Sequence, residues 1–181
     1  FWSREHIVLK RPDEADTFEG FYEAVIYNLS QFLFACAGHY NRFEQIWAEI
    51  NPMPLFSATM QTCIDKKMDV TRGGARYNSS SFSLIGIGTF IDSLYAIRKV
   101  VYEERKLTME QMKELLRTDF AGQEAWRLYL QNKVPKYGQD DEEMASFAGR
   151  VFRDLAVHSS GMPNARGGYF EASLFAFFFY D

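Results

Sequence analysis

Between Asp69 and Asn78 the sequence D-V-T-R-G-G-A-R-Y-N sets two adjacent glycines between two arginines, and Ser79, Ser80 and Ser81 follow at once. Glycine amides beside arginine are ingredients of a phosphate site. A P-loop, however, requires G-x-x-x-x-G-K-[ST], with the lysine reaching the phosphates. Here Gly73-Gly74 runs into Ala75-Arg76, and the motif fails. Gly86-Ile87-Gly88-Thr89-Phe90-Ile91 begins like the dinucleotide fingerprint but puts Ile91 in the last position. With no strand expected before it and a helical pattern around it, it reads as a close helix contact. Ser57 and the serine triplet have no neighbouring histidine and no G-x-S-x-G elbow. His6, His39 and His158 are scattered, and Cys36 and Cys63 stand singly at apolar helical positions, so neither a metal set nor a C-x-x-C pair is present. The acidic run Asp140, Asp141, Glu142, Glu143 lies where carboxylates favour a helix N-terminus and lacks the spacing of a calcium loop. General motifs therefore nominate no catalytic residue and no metal ligand.

The elements that must position these residues are mostly helical. The chain has 181 residues, 47% hydrophobic and 17% aromatic, enough for one packed domain. A net charge of -4 gives no basic face for nucleic acid, and no apolar run reaches the roughly 18 residues of a membrane span. Asp16 with Glu19 reads as a capping box. It opens a long helix whose apolar positions recur from Phe18 to Ile50, and Asn51-Pro52 ends that helix. Pro54 to Lys67 is a shorter predicted helix with Leu55, Ala58, Thr59, Cys63 and Ile64 inward. Phe82 to Glu104 is a second long one. Thr108 with Gln111 forms another capping box, opening a helix through Leu116. Helices over Glu124 to Asn132 and from Asp140 with Glu143 to about His158 complete the set. Tyr169 to Tyr180 reads as a strand apolar on both faces, buried between layers, whose partners are not evident. The fold class expected is an α/β fragment, mostly helical with one buried strand. The absence of an initiator Met and the apolar ending point to a piece of a longer protein, with an intracellular setting.

Four segments taken in order carry something more specific: P-L-F-S-A-T-M-Q-T-C-I-D-K-K-M-D-V-T-R-G-G-A-R-Y-N (Pro54 to Asn78), I-D-S-L-Y-A-I-R-K-V-V-Y-E-E-R-K-L-T-M-E-Q (Ile91 to Gln111), P-K-Y-G-Q-D-D-E (Pro135 to Glu142) and R-G-G-Y-F-E-A-S-L-F (Arg166 to Phe175). This series, from about Thr17 to Phe175, resembles the glycyl radical enzymes, in particular the dehydratase-like branch of the pyruvate formate-lyase family. The resemblance implies a ten-stranded α/β barrel wrapped by helices. The 181 residues would form a partial domain, the central to C-terminal part of that barrel. It implies a cytoplasmic enzyme of anaerobes, homodimeric when complete, that acts on a small organic substrate as a lyase, dehydratase or formate acetyltransferase. A radical S-adenosylmethionine activase installs a radical on a glycine near the C-terminus. That radical passes to a cysteine in a G-C-x-E loop.

Neither signature is present in these residues. Cys63-Ile64-Asp65 imitates C-x-E on an amphipathic helix and reads as a core position, and Arg166-Gly167-Gly168-Tyr169 only approximates the radical motif R-V-x-G-Y. The resemblance therefore assigns this segment to wall and scaffold, without catalytic residue, metal or bound cofactor, and inactive alone. Strand alternation sets Phe175, Phe177 and Phe179 on one side of the last strand; Phe177 and Phe179 are the expected substrate-lining residues, with plain core filling as the alternative. A helical scaffold or interaction protein without chemistry is the competing expectation. A complete small enzyme using Cys63 and Gly168 is a third.

Overall fold

The computed structural model describes residues 8–174. They divide into two units, one of residues 8–28 and 86–154, the other of residues 29–85 and 155–174. Helices α1 (Phe18–Ile50) and α7 (Glu142–Ser159) contribute residues to both.

In the first unit α1 starts at a threonine. Thr17 Oγ1 accepts from the Gly20 amide at 3.2 Å, which replaces the expected Asp16 cap. The residue directly before the first helical position has the side chain that reaches the third free amide, and here that residue is Thr17. Glu19 instead forms a two-pronged ion pair with Arg150, at 2.9 and 2.6 Å. Behind it Phe18, Tyr22, Tyr95 and Phe147 form an aromatic core with ring centroids 5.6–6.2 Å apart.

The expected helix from Phe82 to Glu104 is three elements: β1 (Ser80–Leu84), α4 (Ile87–Ile97) and a π-helical turn (Arg98–Glu103). Gly86, in the left-handed region at φ 75°, separates strand from helix. A strand thus does precede Gly86-Ile87-Gly88, contrary to expectation. The capping box at α5 (Met109–Arg117) is present in both directions, at 2.8 and 3.2 Å. Helix α6 (Glu124–Asn132) has the expected bounds. At α7 the cap moves one residue, from Asp140 to Asp141, whose Oδ1 accepts from the Met144 amide at 2.8 Å. Glu143 pairs with Arg98 at 2.9 Å. The P-K-Y-G stretch clamps three helices. Lys136 Nζ donates to Leu130 O at 2.6 Å, the Tyr137 amide donates to Asp92 at 2.7 Å, and the Tyr137 ring sits 5.8 Å from Phe152.

In the second unit the C-terminal part of α1 covers a two-stranded parallel sheet of β1 and β2 (Phe170–Leu174), in register Ser80 to Phe170 through Leu84 to Leu174. Leu33 and Ala37 pack on Phe82 and Phe170, whose rings stack at 4.8 Å. The expected helix Pro54 to Lys67 breaks into α2 (Pro54–Ser57) and α3 (Gln61–Lys66). Cys63 is buried as expected, but Leu55 is 87% exposed, Ile64 is 53% exposed, and Ala58 and Thr59 also face outward. The inward anchor of α2 is polar instead: Ser57 Oγ accepts from the Val70 amide at 2.9 Å and lies 2.9 Å from the Asp69 carboxylate.

Candidate functional site

Two glycine-bearing loops set the entries of β1 and β2, and each needs the other. In the first, Asp69 collects four donors: the Thr71 amide at 2.9 Å, Thr71 Oγ1 at 2.6 Å, Ser57 Oγ at 2.9 Å and the Met53 amide at 3.0 Å. These hydrogen bonds, Thr71 Oγ1 foremost, hold its carboxyl below the usual carboxylate range. Downstream, Asn78 Nδ2 donates to the carbonyls of Gly73 and Ala75 at 3.2 and 3.0 Å, and Lys66 Nζ reaches the Ala75 carbonyl at 3.0 Å. The loop is therefore closed on itself by side chains that satisfy its carbonyls. Arg72 and Arg76 do not share that role. Both are exposed, and Arg76 lies over the Tyr77 ring at 5.3 Å.

The second loop turns around Asn164, a buried residue. Its Oδ1 accepts from the Arg166 and Gly168 amides at 3.1 and 2.8 Å, and its Nδ2 donates to the Asn78 carbonyl and to Ser80 Oγ. The loops also meet backbone to backbone. A Cβ on Gly73 would overlap the Arg166 carbonyl, and one on Gly168 would overlap the Asn78 carbonyl. Close approach is what these glycines supply. Gly168 thus has a packing reason to be glycine, and Cys63 is buried 3.9 Å from Met60 Sδ.

Ser80 is the hub where the loops join α1. Its hydroxyl donates to Glu44 at 2.6 Å and accepts from Arg166 at 3.1 Å and Asn164 at 3.0 Å. Arg166 also donates to the Ser79 carbonyl at 2.9 Å and approaches Glu44 at 3.3 Å. Beside this pair lies a groove of about 380 Å³ lined by Phe43, Trp47, Met53, Phe56 and Val70. Its walls are apolar and its two charges are paired, so it presents no convergent set of reactive groups.

Above these loops the sheet has two unlike faces. Ser80, Phe82 and Phe170 turn toward α1 and are buried, while Ser81 and Ser83 on β1 and Glu171 on β2 alternate to the other side and are exposed. That side is a polar ladder. Ser81 Oγ donates to Ser173 Oγ at 2.6 Å, the Ser83 and Ser173 hydroxyls lie 3.4 Å apart, and Ser79 Oγ donates to Glu171 at 3.1 Å. Sequence reasoning missed it. The signal was the period-two order Ser80-Ser81-Phe82-Ser83-Leu84, which the apolar residues after Leu84 drew into a helix. Phe177 and Phe179, the expected lining residues, lie outside the described residues. Among the described residues no group of three His, Cys, Asp or Glu could hold a metal ion, and no helix is long and apolar enough to cross a membrane.

The sequence matches the family model described as Pyruvate formate lyase-like over residues 4–180. It is 37% identical over 131 residues to trans-4-hydroxy-L-proline dehydratase of Clostridioides difficile, covering 72% of this chain and 17% of that protein. Over 142 residues it is 31% identical to isethionate sulfite-lyase of Oleidesulfovibrio alaskensis, covering 77% of this chain and 17% of that one. The crystal structure of the Clostridioides difficile hydroxyproline dehydratase, with trans-4-hydroxy-L-proline bound, superposes with a TM-score of 0.87 at 32% identity, over 93% of this chain and 21% of that chain. The chain thus spans about a fifth of the length of these relatives. Its helices and its parallel strand pair are part of the ten-stranded α/β barrel of glycyl radical enzymes. Sequence and fold agree over nearly the whole chain, which belongs to the pyruvate formate lyase-like family of glycyl radical enzymes.

Proposed function

We propose that this chain is the central to C-terminal part of a barrel whose full-length protein is a glycyl radical lyase or dehydratase acting on a small organic substrate. The observation that carries this reading is the agreement with hydroxyproline dehydratase, a TM-score of 0.87 at 32% identity. The named relatives are a dehydratase and a sulfite-lyase, which favours elimination chemistry over the formate acetyltransferase alternative. The radical supplies a means of removing an unactivated hydrogen from the substrate. In this reading a separate activase generates it on a glycine, and a cysteine of the full-length protein, neither residue in this segment, delivers it. The protein acts as a homodimer in the cytoplasm, and the segment alone is inactive.

The chain's own residues build wall. The loops at Asp69–Asn78 and Asn164–Gly168 fix the entry angles and register of two barrel strands, and α1 seals their outer face. Phe177 and Phe179 share the odd parity of Glu171 and Ser173 in the sequence. We assign them to the substrate-facing wall, where their bulk excludes water. Substituting either by leucine in the full-length enzyme should change the relative kcat/KM for competing substrates, and an unchanged preference would remove them from the wall.

The test of the function is anaerobic activation of the full-length protein with a radical S-adenosylmethionine activase. A glycyl doublet in the EPR spectrum, followed by turnover of trans-4-hydroxy-L-proline or isethionate, is the expected result. A full-length protein without a G-C-x-E loop or an R-V-x-G-Y motif, or one that forms no radical, would overturn it.

A further inference from the structure

Barrel closure gives the two faces of the β1–β2 sheet different fates. Helices wrap the outside of an α/β barrel. The face carrying Phe82 and Phe170 lies under α1 and is therefore the outer one. The helix-free face, with Ser81, Ser83, Glu171 and Ser173, points into the lumen. A lumen filled only for packing is lined by branched apolar side chains. This one carries hydroxyls at Ser81 and Ser83 on β1 and at Ser173 on β2, and enclosed hydroxyls must find partners. Ser81 donates to Ser173 at 2.6 Å, and Ser83 lies 3.4 Å away. When both neighbours donate, Ser173 turns its own proton to the lumen. The ladder thus orients one donor from two strands, on side chains that lose little rotamer entropy when fixed.

We propose that Ser173, held by Ser81 and Ser83, is a specificity-determining contact that donates a hydrogen bond to a hydroxyl of the small substrate. The proposal rests on the reading of the full-length protein as a glycyl radical barrel enzyme, so its test separates the two. In the full-length protein, Ser173→Cys should react with a small methanethiosulfonate reagent, and glycerol, as the hydroxylated probe, should slow that reaction. Ala172→Cys, on the outer face, should show no glycerol protection. In the activated enzyme Ser173→Ala should raise KM for the substrate it turns over about tenfold with kcat changed little, as loss of one hydrogen bond of about 1–1.5 kcal/mol implies, and Ser173→Thr should restore it. A radical doublet of normal intensity with unchanged KM and no glycerol protection would overturn the serine contact and leave the enzyme reading standing. Absence of the doublet from wild type would overturn the reading beneath it.

Discussion

At Gly168 the next atom in line is a carbonyl oxygen of another loop, and that decides what substitution costs. Gly167 has φ 79° but open space around it, whereas Gly168 sits in ordinary backbone conformation against the Asn78 carbonyl. Gly167→Ala should therefore cost about 1–2 kcal/mol, the left-handed penalty alone. Gly168→Ala must push two loops apart and should cost more, roughly 2–4 kcal/mol. Hydrogen exchange of the amides following each loop in the full-length protein would rank them, and an inverted order would refute the close-approach account. Asp69 carries the pH dependence of the same region. Its carboxyl is held low in the folded protein, foremost by Thr71 Oγ1, so its contribution is present above the ordinary carboxylate range and is lost as pH falls through its lowered folded value. Exchange protection of the Thr71 amide should fall below about pH 4 in wild type and be weak at every pH in Asp69→Asn.

At the scale of elements, the long helices and their caps divide what sequence shows from what it hides. The box of Thr108 and Gln111 was legible because both partners lie within one turn. The caps at Thr17 and Asp141 were each missed by one residue, because acidic neighbours offered an equally good local pattern. Thr17→Ala should cost about 1 kcal/mol in local helix opening and Asp16→Ala close to none, and the reverse would restore the original cap. Strand β1 was not legible. Three serines have weak strand preference, and the partner that makes a strand of them lies 90 residues away. The close approach required by Gly73, and its partner, Arg166, could come only from the fold. The lining expected at Phe177 and Phe179 lies outside the described residues, and the exposed serine ladder of Ser81, Ser83 and Ser173 was not readable from the sequence.

At the scale of the whole molecule, family membership explains an outer surface that a self-sufficient domain would not carry. Phe43 and Trp47 stack at 5.6 Å on α1 and remain 56% and 40% exposed, with Phe56 51% exposed across the groove. Contiguous exposed aromatics of this kind drive association when nothing covers them. The 181-residue chain should bind 8-anilinonaphthalene-1-sulfonate and self-associate, and Phe43→Lys with Trp47→Lys should reduce both in sedimentation and fluorescence measurements. If further chain covers this face in the full-length protein, the same pair should destabilise that protein too. A stable monomeric chain without dye binding would contradict this.

The pairing of β1 with β2 also sets a clock for biosynthesis. The partners lie 90 residues apart. At typical elongation rates β1 leaves the ribosome roughly 5–20 s before its neighbour is made. During that interval its ladder groups have water or a chaperone as their companions. The serines that line the finished wall also keep this waiting edge polar, and a more apolar strand in their place would offer nascent chains a surface on which to aggregate.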